Sequence, residues 1–227
     1  MTPPPPDRRA WLPVAAALTA IGWGANQFVS LLVAYRRDGG LSSVDVAALV
    51  GVYAVGLVPA LLVLGPLSDR RGRAPVLRAA ALVSVLATAV LTAGTLPALY
   101  LGRLLAGLAS GAAFAAGSAW VRELSAAPFD PDEAPGTGAR RAATALSAGF
   151  GSGPLVAGLV AQWSPHPLLV AYLPHLVLAL AVLPSLWRAP VPGTSPGSKG
   201  AAESSRTQAL PAAKAAPLAR PASSRPR

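Results

Sequence analysis

Long apolar runs separated by short clusters of Gly, Pro, Asp and Arg set the pattern from Trp11 to Trp187. Six of these runs approach the roughly 20 residues needed to cross about 30 Å of hydrocarbon. They lie near residues 12–34, 46–67, 75–95, 98–121, 142–163 and 168–187, which predicts an all-α integral membrane fold of six transmembrane helices. The sixth run carries Pro174 and Pro184. It is expected to survive with a kink, because neighbouring helices can satisfy the carbonyls that proline frees. Residues 1–11, with four consecutive prolines and the Arg8-Arg9 pair, read as a short tail before the first span. A secretory signal peptide is the competing reading. It fails because the run from Trp11 to Tyr35 exceeds the usual 7–15-residue apolar region and no small-residue cleavage site precedes Arg36. From Arg188 the chain is Pro, Ala, Ser and basic residues, so a six-span bundle over 12–187 is expected to end in a disordered basic tail, 188–227. That tail reads either as simply solvated or as a weak contact for anionic lipid.

Composition strengthens the membrane reading. Mean hydropathy is +0.50, and charged residues make up 12% of the chain, about half the share usual in soluble domains. There is no cysteine, which excludes a disulfide framework and thiol-ligated metal. The two histidines, His166 and His175, do not make a histidine-rich metal site, so no metal or cofactor is expected. The net charge of +10 raises the question of nucleic acid, yet the basic residues flank apolar spans or sit in the tail. Nucleic-acid binding is therefore not expected, and the lipid bilayer is the expected partner. With the N-terminus inside, Arg70, Arg71, Arg73, Arg78, Arg122, Arg140, Arg141 and both tails are cytoplasmic, and only Arg36 and Arg37 lie outside. That bias predicts a multi-pass cell-membrane protein with both termini in the cytoplasm.

Between the second and third runs stands Gly65-Pro66-Leu67-Ser68-Asp69-Arg70-Arg71-Gly72-Arg73. The stretch resembles the loop between spans 2 and 3 of the major facilitator superfamily, where the pattern is G-x-x-x-D-R-x-G-R followed by one more basic residue. Gly65, Asp69, Arg70, Gly72 and Arg73 are in register; Ala74 replaces the last basic residue. Arg103-x-x-x-Gly107-x-x-x-Gly111 in span 4 resembles the family's R-x-x-x-G signature. Gly149-x-x-x-Gly153-Pro154-x-x-x-Gly158 in span 5 resembles its G-x-x-x-G-P motif, which is associated with exporters. A small-x-x-x-small pattern alone marks only close helix packing. Three patterns in the family's order on the family's spans say more.

The resemblance implies half of a transporter for a small molecule, with efflux as the direction. It implies that Asp69 and Arg73 latch a cytoplasmic gate, with Glu123 and Arg140 or Arg141 matching an E...R-R feature across an acidic loop that holds Asp130, Asp132 and Glu133. A carboxylate at a helix end can accept from the amides that open another helix, which is a physical basis for such a latch. The plainer reading is that these charges only enforce topology. Arg103 lies about six residues, roughly 9 Å, from the outer end of span 4. A basic residue at that depth points to an anionic substrate or a coupling site, or else it snorkels outward. The family's drug exporters often carry Gln three residues later; Ala106 stands there.

Thr19, Trp23, Asn26 and Ser30 follow helical spacing in span 1, with Gln27 beside them. This polar stripe is expected to face a ligand cavity or to bond neighbouring helices. His175 reads as a packing histidine before a titrating one. No Asp or Glu lies deep in any span, so the proton-coupling carboxylate common in the superfamily is missing.

Superfamily members have twelve spans in two halves, and this sequence resembles the first half. The halves are parallel repeats about an axis along the membrane normal, so a homodimer or a separately encoded second half fits the geometry. A truncated, non-transporting remnant or membrane regulator is the alternative. A rival of another class is a rhomboid-type intramembrane serine protease using Ser110 and His175. Against it, Leu108 stands where the G-x-S-G pattern requires glycine. The expectation is therefore a non-enzyme with no catalytic residues.

Overall fold

The computed structural model describes residues 7–132 and 134–192, and among these it has six helical segments long and apolar enough to cross a membrane. They are built from α1 (Leu12–Arg37), α2 (Ser43–Arg71), α3 (Arg73–Leu91), α4 (Leu96–Ala112) continued by a π-helical turn and α5 (Ser118–Leu124), α6 (Thr137–Trp163), and α7 (Pro167–Val170) followed by α8 (Leu173–Arg188). Local chemistry sets most of these limits. Proline occupies the first turn of α1, α4, α7 and α8, where its missing N–H is not needed. A capping box opens α2: the Ser42 hydroxyl accepts from Asp45 N at 3.1 Å and the Asp45 carboxylate from Ser42 N at 3.0 Å. At the other end of α2, Gly72 has φ +94°, so a single residue ends one helix and begins the next. That turn needs glycine, since an L side chain is strained there.

Three expected spans are modified. The fourth is expected to be one continuous helix. Instead, Ala113–Gly117 forms a π-helical turn within it, in a run of small side chains that leaves room for the wider backbone. The sixth is broken at Ala171-Tyr172, just before Pro174, whereas Pro184 lies inside α8 without interrupting it. Pro174 has no N–H with which to continue the ladder of α7, so the break falls there. The third ends at Leu91, short of the expected residue 95, because Thr92–Gly94 form a turn with Gly94 at φ +66°. The expected disordered tail falls almost wholly on residues outside those described.

α1 and the α4–α5 span occupy the middle. α6 lies along α1, while α2 and α3 lie along α4, and α8 rests on α1 and α3. The two most intimate pairs depend on glycine. A Cβ on Gly149 of α6 would overlap the Thr19 carbonyl oxygen of α1, and one on Gly107 of α4 would overlap the Tyr53 carbonyl oxygen of α2. Without side chains at these points the backbones approach closely, which supplies the dispersion contact that must replace the hydrophobic effect in lipid. Away from the α2–α3 turn, the core gathers Phe28, Leu31, Leu49, Leu91 and Leu99 around a hydrogen-bonded pair, Tyr35 and Tyr172, whose hydroxyls are 3.0 Å apart.

Candidate functional site

Six spans put the start of α1, the α2–α3 turn, the α5–α6 loop and the end of α8 on one side. Most of the charge pairs are there. Asp69 lies in the last turn of α2 and Arg73 begins α3, four residues apart across Gly72, and the two form an ion pair. Arg73 also donates from Nε to Glu123 Oε1 of α5 at 3.0 Å and from Nη1 to Ser68 Oγ at 2.7 Å. One guanidinium thus ties the turn to the end of the fourth span, as its planar fork allows. Arg73 is largely covered, whereas the Asp69 side chain is 61% exposed. Gly65 presents its carbonyl to the Ser68 hydroxyl at 2.8 Å, and Arg70 is exposed.

The acidic loop forms a second cluster. Asp130, nearly buried, takes Arg141 at 3.4 Å and Arg8 at 3.8 Å, and Arg8 reaches Asp132 at 2.6 Å. Arg141 also stacks on the Trp11 ring at 4.7 Å, and Arg140 donates to Thr137 Oγ1 at 2.8 Å. The structure therefore engages Glu123 with Arg73, and Arg141 with Asp130, in place of the single Glu123-to-Arg140 or Arg141 pairing expected from sequence. A third cluster, with no sequence signal of its own, sets Arg78 of α3 between the Trp120 and Trp187 rings, each 5.8 Å away, with Nη2 donating to the Trp187 carbonyl at 2.9 Å.

Within the spans the polar stripe of α1 is used against other helices. Thr19 donates to the Ala145 carbonyl at 2.9 Å and Asn26 to the Phe150 carbonyl at 2.9 Å, both on α6. Gln27 is fully buried and donates to Thr88 of α3 at 3.1 Å; Ser30 returns to the Gln27 carbonyl at 3.0 Å. Trp23 is half-buried, and its Nε1 has no acceptor among the described residues. Arg103 is 2% exposed and does not snorkel. Its Nη1 donates to the Ala25 carbonyl at 2.9 Å and its Nε to the Leu49 carbonyl at 3.4 Å, with Phe28 and Tyr53 rings covering it at 4.9 and 4.4 Å. Asn26, Gln27 and Arg103 are thus bonded to different neighbours, Trp23 Nε1 to none among the described residues, and the four do not converge on one space. The signal missed in the sequence is aromatic: Phe28 and Tyr53 sit on the faces of α1 and α2 that enclose Arg103.

The glycines of both small-residue motifs lie at helix contacts. A Cβ on Gly153 would stand 2.7 Å from the Trp23 carbonyl oxygen, and one on Gly111 2.6 Å from that of Leu57. Gly158 is looser, with Ser30 Cβ at 3.5 Å, and Pro154 sits within α6. His175 is buried against α1. Its Nε2 lies 3.0 Å from the Ala20 carbonyl oxygen, where it donates, and Gly24 leaves the room that the ring fills. Ser110 donates to the Ala106 carbonyl at 2.7 Å, so the two groups that a serine protease would need to pair are each bonded to a backbone carbonyl of α4 or α1.

Six apolar spans, a one-residue turn clasped by Asp69, Arg73 and Glu123, and glycine-mediated pairing of α2 with α4 and α1 with α6 all accord with the family model of the Major Facilitator Superfamily, which matches residues 13–226. The chain belongs to the Major Facilitator Superfamily. It is accordingly a multi-pass membrane protein of a family of transporters, a family not typically composed of enzymes, and its described spans correspond to an N-terminal six-helix half.

Proposed function

We propose that the chain carries out secondary active transport of a small molecule, in the efflux direction, as a half-unit that works with a second six-span half supplied by another copy or by a separately encoded chain. One observation carries the proposal. The face of α6 turned away from α1 bears Thr144, Ser147 and Gly151, all exposed, and a Cβ on Gly151 would meet nothing within 4 Å. A stripe of small and hydroxyl-bearing residues is poorly matched to lipid and well matched to another helix or to water. In a parallel-repeat transporter the partner half and the substrate path would occupy that side.

Asp69, exposed beside a clasped Arg73, is placed to reach a helix end of the second half, with Gly65, Arg70 and Gly72 shaping the turn and Glu123 anchoring it. Arg140 and Arg141 hold the adjoining loop. Trp23, whose ring is only partly covered, is the favoured substrate contact, while Asn26, Gln27 and Arg103 act on coupling by fixing α1 against its neighbours. The protein is assigned to the plasma membrane with both termini cytoplasmic, as the arginine distribution argues.

Reconstitution into vesicles tests the proposal. The chain, alone and co-expressed with any second half, is assayed against panels of labelled cationic, anionic and neutral small molecules under proton and sodium gradients. Gradient-driven flux that is lost in Asp69→Asn is the expected result. Absence of flux in every arm, with intact folding, supports the remnant instead.

A further inference from the structure

α2 and α3 are joined by the Gly72 turn, yet each is held by α4 more than by the other. Between them lies a crevice of about 370 Å³, walled by Leu64 and Leu67 of α2 and Val76 and Val83 of α3, with Leu108 and Ala112 of α4 as its floor. Nearly all of this lining is apolar. Arg71 stands at the rim, exposed, and among the described residues it enters no ion pair, although Arg73 two positions on holds both Asp69 and Glu123.

We infer that this crevice binds an anionic phospholipid, with one acyl chain between α2 and α3 and the headgroup phosphate on Arg71. The two helices that wall the crevice are tied together at Gly72 and line it with aliphatic side chains, which suits a flexible acyl chain that follows the groove. A void there would forfeit dispersion contact on both walls, and an acyl chain restores it. The single charge sits where the headgroup of such a lipid would be, and a guanidinium pairs with phosphate through parallel N–H donors. The inference requires only that the α2–α3 turn lie at headgroup level; it does not depend on transport.

Native mass spectrometry of the purified full chain, titrated with phosphatidylglycerol and with phosphatidylcholine of the same acyl chains, tests it. Phosphatidylglycerol should be retained preferentially, and Arg71→Gln should lower its retention about fivefold, to the phosphatidylcholine level, while Arg70→Gln leaves it unchanged. Ala79→Trp, which projects into the crevice from an exposed position on α3, should reduce retention of both lipids. Equal loss in Arg70→Gln and Arg71→Gln, or no preference between the lipids, overturns the site in favour of diffuse surface charge. The chain has no cysteine of its own, so Ala79→Cys reports a different occupant. Efficient disulfide cross-linking between copies in the membrane would show that a second protein covers the crevice, and would equally overturn the inference.

Discussion

Replacing Arg103 separates two roles that one buried arginine can have. If its geometry matters, the guanidinium is valuable because it spans from Ala25 to Leu49 and lies between the Phe28 and Tyr53 rings. The 2.9 Å bond to Ala25 is worth about 1.5 kcal/mol, at the lower end for a charged donor. Each ring adds about 1 kcal/mol, and the 3.4 Å bond to Leu49 adds little. Against this total of roughly 3.5 kcal/mol stands the burial of a charge in a span, which costs up to about 3 kcal/mol. The two nearly cancel. Arg103→Met keeps the stem, removes the charge and leaves two carbonyls already bonded within their helices, so stability should stay within about 1 kcal/mol of the wild type. Arg103→Lys retains the burial cost, cannot lie flat between the rings and reaches one carbonyl at most, so it should be about 2 kcal/mol less stable. Reversible unfolding in mixed micelles, with near-ultraviolet circular dichroism as the probe, gives the order wild type, Met, Lys. A Lys variant as stable as the wild type, together with a strongly destabilised Met variant, would falsify this reasoning and return Arg103 to the role of a required charge.

Gly149→Val should abolish folding or cost more than about 3 kcal/mol, because a Cβ there overlaps the Thr19 carbonyl, whereas Gly158→Ala should be close to neutral; detergent size-exclusion profiles of fluorescent fusions separate the two. Exchanging the charges of Arg73 and Glu123 singly should disrupt flux, Arg73→Glu the more severely because it also faces Asp69, and the double exchange should restore part of it. His175→Leu removes the bond to Ala20 from a fully buried site and should cost about 1 kcal/mol, read as a lower midpoint in the same unfolding assay. Single cysteines at Arg70 and Ser164 should respond oppositely to an impermeant maleimide on whole cells, with Ser164→Cys labelled and Arg70→Cys protected; labelling of Arg70→Cys would invert the topology.

The six helices were legible because hydropathy over a whole span averages away local detail, and the Asp69–Arg73 turn was legible because glycine and charge recur there at fixed spacing. What escaped did so for two reasons. The π turn at Ala113–Gly117 depends on how single backbone positions are packed and lies inside an apolar stretch where periodicity is silent, and the two prolines of the sixth span marked a kink without telling which of them would break the helix. The side-chain pairings escaped for another reason. Spacing along one helix told that Thr19, Asn26 and Ser30 share a face, but not that the face meets carbonyls of α6. Nor did it tell that Arg73, already paired with Asp69, would also hold Glu123 fifty residues away. Arg78, held between Trp120 and Trp187, shows the limit most clearly: three residues from three helices, none in a motif, meet only once the bundle closes.

The two glycine-mediated pairs look alike and are pinned differently. α6 is held on α1 by close backbone contact at Gly149 and Gly153 and by side-chain bonds from Thr19 and Asn26 to its carbonyls. α2 meets α4 through Gly56, Gly107 and Gly111, and Arg103 adds its long 3.4 Å bond to Leu49. Dispersion contacts of this kind tolerate sliding better than directional hydrogen bonds do, because their energy changes slowly with displacement along the groove. α2 also buries only Leu49, Gly56, Ala60 and Ser68, so few side chains must repack when it moves. The helix that carries Asp69 in its last turn is therefore the more weakly pinned of the two, and the clasp of Arg73 between Asp69 and Glu123 is what ties that turn to α5.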